Sequence, residues 1–255
     1  MGILLRDDQA SYRTNAKGMI FPISDVGLEL VGVFGDSLAA SCRNFAPGKS
    51  AFTPVGSPVV NANSIELTGA GGAFLQTDMA HTPDLTLIAV SRVLDNRGSL
   101  VLTNFHSKSQ VHADTTVGSS LYLFPPASGE TAMSSRFSYA VTDGTTSTAV
   151  TTLIGNDVPV GQYQFQCARF STATKLLLID NLTSGKSAKS SPVTSPVDTG
   201  EPFRIGSSYQ PNPVDYPGRC EVVAVIGMSR AITDAEMSTL YKFWRGYCER
   251  RGIVI

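Results

Sequence analysis

Apolar and polar residues alternate along much of this chain, with the two-residue period of β-strands that face a core on one side. The first clear alternation covers residues 28–34 and ends at a Gly-Asp-Ser turn. A stronger alternation covers residues 163–170, and a second apolar run follows at residues 174–180 after a tight turn. We therefore predict an early strand and a later β-hairpin.

Two stretches are apolar on both faces, which is typical of a strand at the centre of a sheet that is covered on both sides. In residues 84–93, Leu87 faces one way while Ile88 and Val90 make the other face apolar. Residues 218–226 are predicted to form a second such strand, with an unbroken apolar run from Val222 to Ile226. Shorter strand patterns, separated by Gly, Pro, Asp or Ser clusters, cover residues 55–60, 64–68, 73–77, 99–105, 121–124, 136–141 and 203–206. The spacing predicts an all-β chain of successive antiparallel strands.

One clear helix is predicted near the end of the chain, over residues 233–251. Thr233 and Glu236 have the spacing of a capping box, and Asp234 adds a charge that the helix dipole favours. The apolar stripe at helical spacing consists of Met237, Leu240, Tyr241, Trp244 and Cys248. Because Trp244 lies on this stripe, we interpret it as a packing anchor rather than as a platform for a sugar.

The connecting segments are turns and one longer loop, and none of them separates two domains. The glycine-rich residues 69–72 are followed by neither Lys-Ser/Thr nor a helix, so they indicate a turn rather than a phosphate-binding loop. Residues 184–196 are rich in Ser, Lys and Pro and are predicted to form an exposed, mobile loop. We predict one β-domain over residues 25–255. Residues 1–24 show no regular period, which leaves open attachment to partner chains or a strap across their own domain.

Composition and charge exclude several classes of protein. With 42% hydrophobic and 16% charged residues, the chain can build an ordinary core and does not have the composition of a disordered one. Its net charge is -1 and it has no Lys/Arg run, so we expect no nucleic-acid partner. Charged residues 6–8 follow the start too early for the apolar part of a signal peptide, and no apolar run reaches about 18 residues. We therefore expect synthesis in the cytoplasm without membrane insertion.

The cysteine and histidine positions do not favour metal chemistry. The four cysteines lie far apart without a Cys-x-x-Cys pair, so we predict buried, reduced thiols rather than a zinc or redox site. His81, His106 and His112 fall in loops or at strand edges, where surface hydrogen bonding is their expected role. His106, His112 and Asp114 are close enough to permit a metal site, but they do not show the ligand spacing of a known one. We expect no metal and no cofactor.

The last third of the chain carries the most specific family signal. It contains three sequence motifs in order: a strand ending in I-G, a strand of the form G-x-[IVC]-x-x-V, and a segment of the form R-[AL]-[ILT]-x-x-E. With two earlier pieces they resemble the concanavalin A-like lectin/glucanase fold in its laminin-G-like form. The matching pieces are residues 44–58, 175–181, 203–206, 218–226 and 229–236. The resemblance spans residues 27–252 and implies a two-sheet antiparallel jelly-roll sandwich with one C-terminal α-helix.

The opening of the chain, together with residues 27–29 and 44–48, is similar to bacteriophage tail or virion proteins that carry this fold. This resemblance implies a non-enzymatic virion component, of the tail fibre or tail tip, that binds a host receptor or surface glycan. It also implies attachment to other tail proteins through residues 1–24, self-association, for instance as a trimer, and a place in the virion. A free-standing carbohydrate-binding lectin and a divergent glycan hydrolase remain alternatives.

The carboxylates do not show the pattern of catalysis on this fold. Glycanases of the family carry Glu-x-Asp-x-x-Glu on one strand, which sets two carboxylates on one face as nucleophile and general acid. This spacing does not occur here. The acidic residues in or near the predicted strands are isolated from one another, namely Glu66, Asp78, Asp84, Asp95 and Glu221. No Gly-x-Ser-x-Gly motif is present either. We predict that the chain is not an enzyme and has no catalytic residues.

The best candidate for sugar binding is the loop over residues 208–217. A sugar offers an apolar face and many hydroxyls, so it needs an exposed aromatic ring flanked by planar polar groups. The loop supplies Tyr209, Asn212, Asp215 and Tyr216 between prolines that limit its entropy loss on binding. The alternative is a rigid loop that packs its tyrosines on neighbouring strands or on another subunit.

Overall fold

The computed structural model describes residues 19–69, 72–210 and 215–255. Within them the strands are β1 Leu28–Val33, β2 Thr53–Gly56, β3 Val59–Val60, β4 Ile65–Thr68, β5 Ala73–Gln76, β6 Leu85–Val93, β7 Ser99–Thr103, β8 Ser120–Phe124, β9 Met133–Thr142, β10 Ser147–Val158, β11 Gln164–Ser171, β12 Leu176–Asn181, β13 Lys186–Lys189, β14 Arg204–Ile205 and β15 Arg219–Met228. The helices are α1 Leu38–Ser41 and α2 Asp234–Glu249. The attachment predicted for residues 1–24 falls mostly on residues 1–18, which lie outside the described residues.

The strands pair antiparallel in the order β10-β9-β8-β7-β14-β5-β4-β15-β6-β11-β12-β13, with β1 beside β15, β2 beside β5 and β3 beside β4. This continuous sheet folds over itself, because β9 and β10 contact β12 while β7 contacts β6 and β15. The result is a sandwich whose layers are joined through β14, β5 and β4. The predicted all-β fold, an antiparallel jelly-roll sandwich with a C-terminal helix, is confirmed, and its two predicted sheets are the two layers of this one continuous sheet.

Two apolar clusters explain why the central strands are apolar on both faces. Between the layers lies an inner cluster that includes Leu87 of β6 and Phe137 of β9. Ile88 and Val90 of β6 point the other way, into an outer cluster that α2 covers. Met19, Phe21, Ile23 and Leu28 also belong to this outer side of the sandwich. The central position predicted for residues 84–93 is thereby confirmed.

Helix α2 has the predicted cap. The backbone N–H of Glu236 donates to Thr233 Oγ1 at 3.2 Å, and the backbone N–H of Thr233 donates to Glu236 Oε2 at 2.8 Å. The buried residues of the helix are Met237, Leu240, Trp244 and Cys248. Trp244 is therefore a packing anchor, as predicted. In the described part of the chain, neither helix is both long and apolar enough to cross a lipid bilayer.

The structure corrects the loop predicted for residues 184–196. Part of this segment, β13, pairs with β12 through Leu178 opposite Lys189 and Asp180 opposite Ser187. Most side chains of β13 point to solvent, so the strand is held by backbone hydrogen bonds and carries no apolar alternation. The edge strand β10 and the four-residue helix α1 were not predicted either, because β10 carries no apolar alternation and α1 is a single turn, too short to show a helical period.

Candidate functional site

Of the four residues predicted to bind sugar, the structure describes Tyr209, Asp215 and Tyr216, and it places the two tyrosines in different surroundings. Asn212 lies outside the described residues. Tyr209 packs back onto the sheet: its hydroxyl donates to the Pro202 carbonyl at 2.7 Å and accepts from Gln76 Nε2 at 3.0 Å. The Arg204 guanidinium stands 3.5 Å from the centroid of the Tyr209 ring. One face of that ring is therefore covered by the protein itself.

Tyr216 belongs instead to an aromatic cluster on the outer face of the layer formed by β7, β8, β9 and β10. Its ring makes edge-to-face contacts with Phe105, Tyr122 and Phe124, at centroid distances of 5.8, 5.2 and 6.3 Å. Burial, together with the neighbouring Tyr122, raises the pKa of the Tyr216 phenol, so the hydroxyl remains protonated near neutral pH. Asp215 is exposed and its carboxylate accepts from Gln210 Nε2 at 3.4 Å.

Beside this cluster lies a cleft of about 160 Å³. Strand alternation builds it: Leu121 and Leu123 of β8 face the inner cluster, so Ser120 and Tyr122 face outward. The cleft is lined by Leu100, Phe105, Val117, Ser120, Tyr122, Ser138, Ala149, Thr151 and Tyr216. It combines aromatic and aliphatic walls with a row of hydroxyl groups.

The hydroxyls of the cleft are already ordered by one another. Ser138 Oγ lies 3.1 Å from the Tyr122 hydroxyl and 2.8 Å from Thr151 Oγ1. Thr151 is exposed at the rim, whereas Tyr122 is only 6% exposed. The row therefore runs from the buried floor of the cleft to its open edge. Each hydroxyl can both donate and accept, which suits a ligand that carries several hydroxyls.

Tyr216 is held in place by close backbone contacts. Its own φ is 58°, in the left-handed region that non-glycine residues rarely adopt. A Cβ on Gly69 would come within 2.2 Å of the Tyr216 carbonyl oxygen, and one on Gly98 within 3.1 Å of the Tyr216 ring. Gly218 completes the arrangement, since its N–H donates to the Gly98 carbonyl at 2.7 Å. The loop can approach the sheet this closely because these positions lack side chains.

Replacement of Gly69 by alanine is therefore expected to displace the Tyr216 backbone and to lower the free energy of unfolding by about 1–3 kcal/mol. Urea denaturation followed by circular dichroism measures the change. Gly72→Ala is the matched control in the same turn, because a Cβ there meets nothing within 4 Å. Equal stabilities of the two variants would contradict the close contact.

The prediction that His81 and His112 make surface hydrogen bonds was wrong, because both side chains are buried. His81 Nδ1 lies 3.2 Å from Asn104 Nδ2 and accepts from the Gly200 N–H at 3.3 Å. Nδ1 is thus an acceptor, so the ring proton sits on Nε2 and is donated to Ser119 Oγ at 2.9 Å. In this tautomer His81 is not a general base for Ser119. Burial lowers the pKa of His81 to about 4, which keeps the ring neutral.

The residues considered for a metal site do not converge. His106 is exposed, whereas His112 is turned inward with Nε2 3.1 Å from Asp198 Oδ2. His112 Nδ1 accepts from the backbone N–H of Asp114, not from its carboxylate. Across residues 19–69, 72–210 and 215–255, no three His, Cys, Asp or Glu side chains form a group that could hold a metal ion.

The strand register brings together one carboxylate pair that sequence reasoning missed, because its members are far apart in the chain. Glu66 of β4 lies opposite Glu221 of β15. Each carboxylate is paired with an arginine: Arg219 donates to Glu66 at 3.0 Å and Arg92 donates to Glu221 at 2.6 Å. Burial alone would raise the pKa of Glu221, but hydrogen bonds, including that from Arg92, lower it below its usual value. Glycoside hydrolysis needs a carboxyl with a raised pKa as general acid, and Glu221 has the opposite property.

No protein-family model and no curated protein matches this chain. Solved structures do resemble it. The receptor-binding domain of botulinum neurotoxin mosaic serotype C/D has a TM-score of 0.60 at 6% identity, covering 86% of this chain and 51% of that one. The serotype D ligand-binding domain in complex with N-acetylneuraminic acid has a TM-score of 0.59 at 6% identity, with coverage of 86% and 51%.

Trypanosoma rangeli sialidase in complex with sialic acid is similar over 84% of this chain and 32% of its own, with a TM-score of 0.57 and 12% identity. The likeness is one of fold. The chain spans about half the length of the neurotoxin structures it matches. At these identities the comparisons support a β-sandwich fold and assign no ligand to it.

Proposed function

We propose that this chain is a non-enzymatic glycan-binding protein and that the cleft beside Tyr216 is its binding site. The observation that carries the proposal is the combination, in one cleft, of the Tyr216, Tyr122 and Phe105 rings with an ordered row of hydroxyls. An aromatic ring packs against the apolar face of a sugar, while hydroxyls exchange hydrogen bonds with its polar edge. Tyr209, covered by Arg204, supports the loop in this proposal and does not provide the platform.

We further propose that the protein acts in a bacteriophage virion, as a component of the tail fibre or tail tip that binds the host surface. The support is the similarity of the opening residues, and of residues 27–29 and 44–48, to tail and virion proteins of this fold. The names of the structural neighbours, which are receptor-binding and ligand-binding domains, are consistent with a surface-recognition role. The concanavalin A-like relationship itself belongs to this proposal.

Two observations favour binding over hydrolysis. The His81 Nε2–H donates to Ser119, so His81 is not placed to act as its general base. The carboxylates of Glu66 and Glu221 are each paired with an arginine. A free-standing lectin would use the same cleft. Mass spectrometry of purified virions, made from the genome that encodes the chain, distinguishes a tail protein from a free-standing lectin. Presence of the chain in the virions supports the tail protein, and its absence favours the lectin.

The Tyr216→Ala variant is expected to bind glycan about tenfold more weakly than the wild-type chain, since an aromatic contact contributes roughly 0.5–1.5 kcal/mol beyond its buried area. A glycan array on the purified full chain first identifies the bound sugars, and isothermal titration then gives the affinities. Tyr163→Ala is the control, because Tyr163 is also half-buried and lies 4.6 Å from a guanidinium, that of Arg92, but does not line the cleft. Equal losses in the two variants, or an array without signal, would refute the cleft as a sugar site.

A further inference from the structure

Arg136 does not line the cleft but lies next to two residues that do, Tyr122 and Ser138. It projects from β9 directly opposite Tyr122 of β8, two residues before Ser138, so it shares the outer face of the sheet with the cleft. Its guanidinium carbon lies 3.5 Å from the centroid of the Phe124 ring. Phe124 in turn packs edge-to-face against Tyr216. The cation is thus held against the aromatic cluster whose other rings line the cleft.

The guanidinium of Arg136 is not neutralised by the protein around it. Within the described ranges it donates no hydrogen bond and forms no ion pair, and its Nε is shielded from solvent without an acceptor. Several other described arginines form ion pairs, as Arg92 does with Glu221 and Arg219 with Glu66. A buried donor without a partner is destabilising, so this arrangement needs an explanation. The terminal amino groups, on a side chain that is only partly buried, remain for an acceptor from outside.

The charge near Arg136 also favours an anion. Arg136 stabilises the ionised form of the Tyr216 phenol, which places its positive charge near the Tyr216 hydroxyl at the cleft wall. Asp215 acts on the same hydroxyl in the opposite sense, but its side chain is exposed, so solvent screens its charge. The Phe124 ring against the guanidinium lowers the local polarity and strengthens a charge-assisted hydrogen bond there.

We propose that the ligand of this cleft is an acidic sugar, a hexuronic or sialic acid unit, whose carboxylate is bound by Arg136. This inference rests on the proposed glycan-binding function. The planar guanidinium fork matches a carboxylate in a two-point contact, and one cation balances one carboxylate charge. The sugar ring then lies along Tyr216 and Tyr122, with its hydroxyls on the Ser138 and Thr151 row.

The test compares each acid with an ester of the same sugar, which differs only in the charge. Ligand-observed NMR titrations of the full chain use methyl glucuronoside and methyl N-acetylneuraminoside, each alongside its methyl ester. We expect at least one acid to bind about tenfold more tightly than its ester, with a preference that falls as salt is raised. Arg136→Gln is expected to abolish the preference, so that each acid binds to this variant no more tightly than its ester. Arg136→Lys keeps the charge without the fork, so an intermediate preference is expected.

Arg245→Gln is the matched control, since it changes the net charge equally at an exposed position of α2. Thermal melts establish that each variant is folded. Equal binding of acid and ester to the wild-type chain, or a preference that survives in folded Arg136→Gln, overturns the acidic-sugar assignment and leaves glycan binding intact. Binding of none of the four sugars, with an array that also gives no signal, overturns both the assignment and the proposed function.

Discussion

Trp244→Ala is expected to lower the free energy of unfolding by about 3–5 kcal/mol, which is a large share of the stability of a typical domain. Trp244 is 1% exposed and joins α2 to the outer cluster on β6 and β15. Its removal leaves a cavity that the helix and the sheet fill only in part. Urea unfolding followed by far-ultraviolet circular dichroism measures the loss, since the variant has no tryptophan fluorescence.

Two further substitutions make the result specific. Lys242→Ala, on the exposed side of α2, is expected to change the stability by less than about 0.5 kcal/mol. Trp244→Phe keeps much of the ring contact and removes an indole N–H that is buried without a partner in the described residues. Its cost is therefore expected to lie well below that of alanine. Similar small effects for Trp244→Ala and Lys242→Ala would show that α2 does not depend on this contact.

The stability is also expected to fall as the pH drops from about 6.5 to about 4, because His81 is buried in its neutral form. Burial lowers its pKa in the folded protein to about 4, with the charge of Asp198 opposing the shift, whereas the value in the unfolded chain is 6.5. Between these values the unfolded chain binds more protons than the folded one. The contribution is fully present above pH 6.5 and is lost as the pH falls; the gap corresponds to on the order of 3 kcal/mol.

Urea midpoints at pH 7.5 and 4.5 measure this dependence. His81→Gln, which cannot titrate, is expected to be less stable at pH 7.5 but to show a flatter dependence between the two values. His106→Gln, at an exposed position, is the control and should retain the wild-type slope. A slope that is the same in His81→Gln and in the wild-type chain would show that other groups cause the acid sensitivity.

The parts of the fold that could be predicted are those whose physical cause is local in sequence. The two-faced apolar pattern of residues 84–93 requires a covered central strand, and Thr233 with Glu236 specifies a helix start within four residues. Strands β10 and β13 were not predicted from the sequence. Both are edge strands, which are stabilised by backbone pairing and expose many of their side chains, so their sequences carry no apolar alternation. Their positions become evident only when the neighbouring strand is known.

The site was predictable only in part for a similar reason. The loop with Tyr216 could be found from its composition, but its aromatic partners come from other segments, such as Tyr122 on β8 and Phe105 after β7. The alternation of Ser120 and Tyr122 with buried leucines was a usable signal for an outward-facing surface. What separates Tyr209 from Tyr216 is the stacking of Arg204, a contact fixed by the folded loop.

The outer cluster gives the sandwich two unlike outer faces. Helix α2 and the chain from Met19 to Ile23 cover the face of β1, β15, β6 and β11, whereas the cleft opens on the layer of β7 to β10. The molecule is therefore polarised front to back. A partner that bound the back, over α2 and the chain from Met19 to Ile23, would therefore leave the cleft on the front open to its ligand.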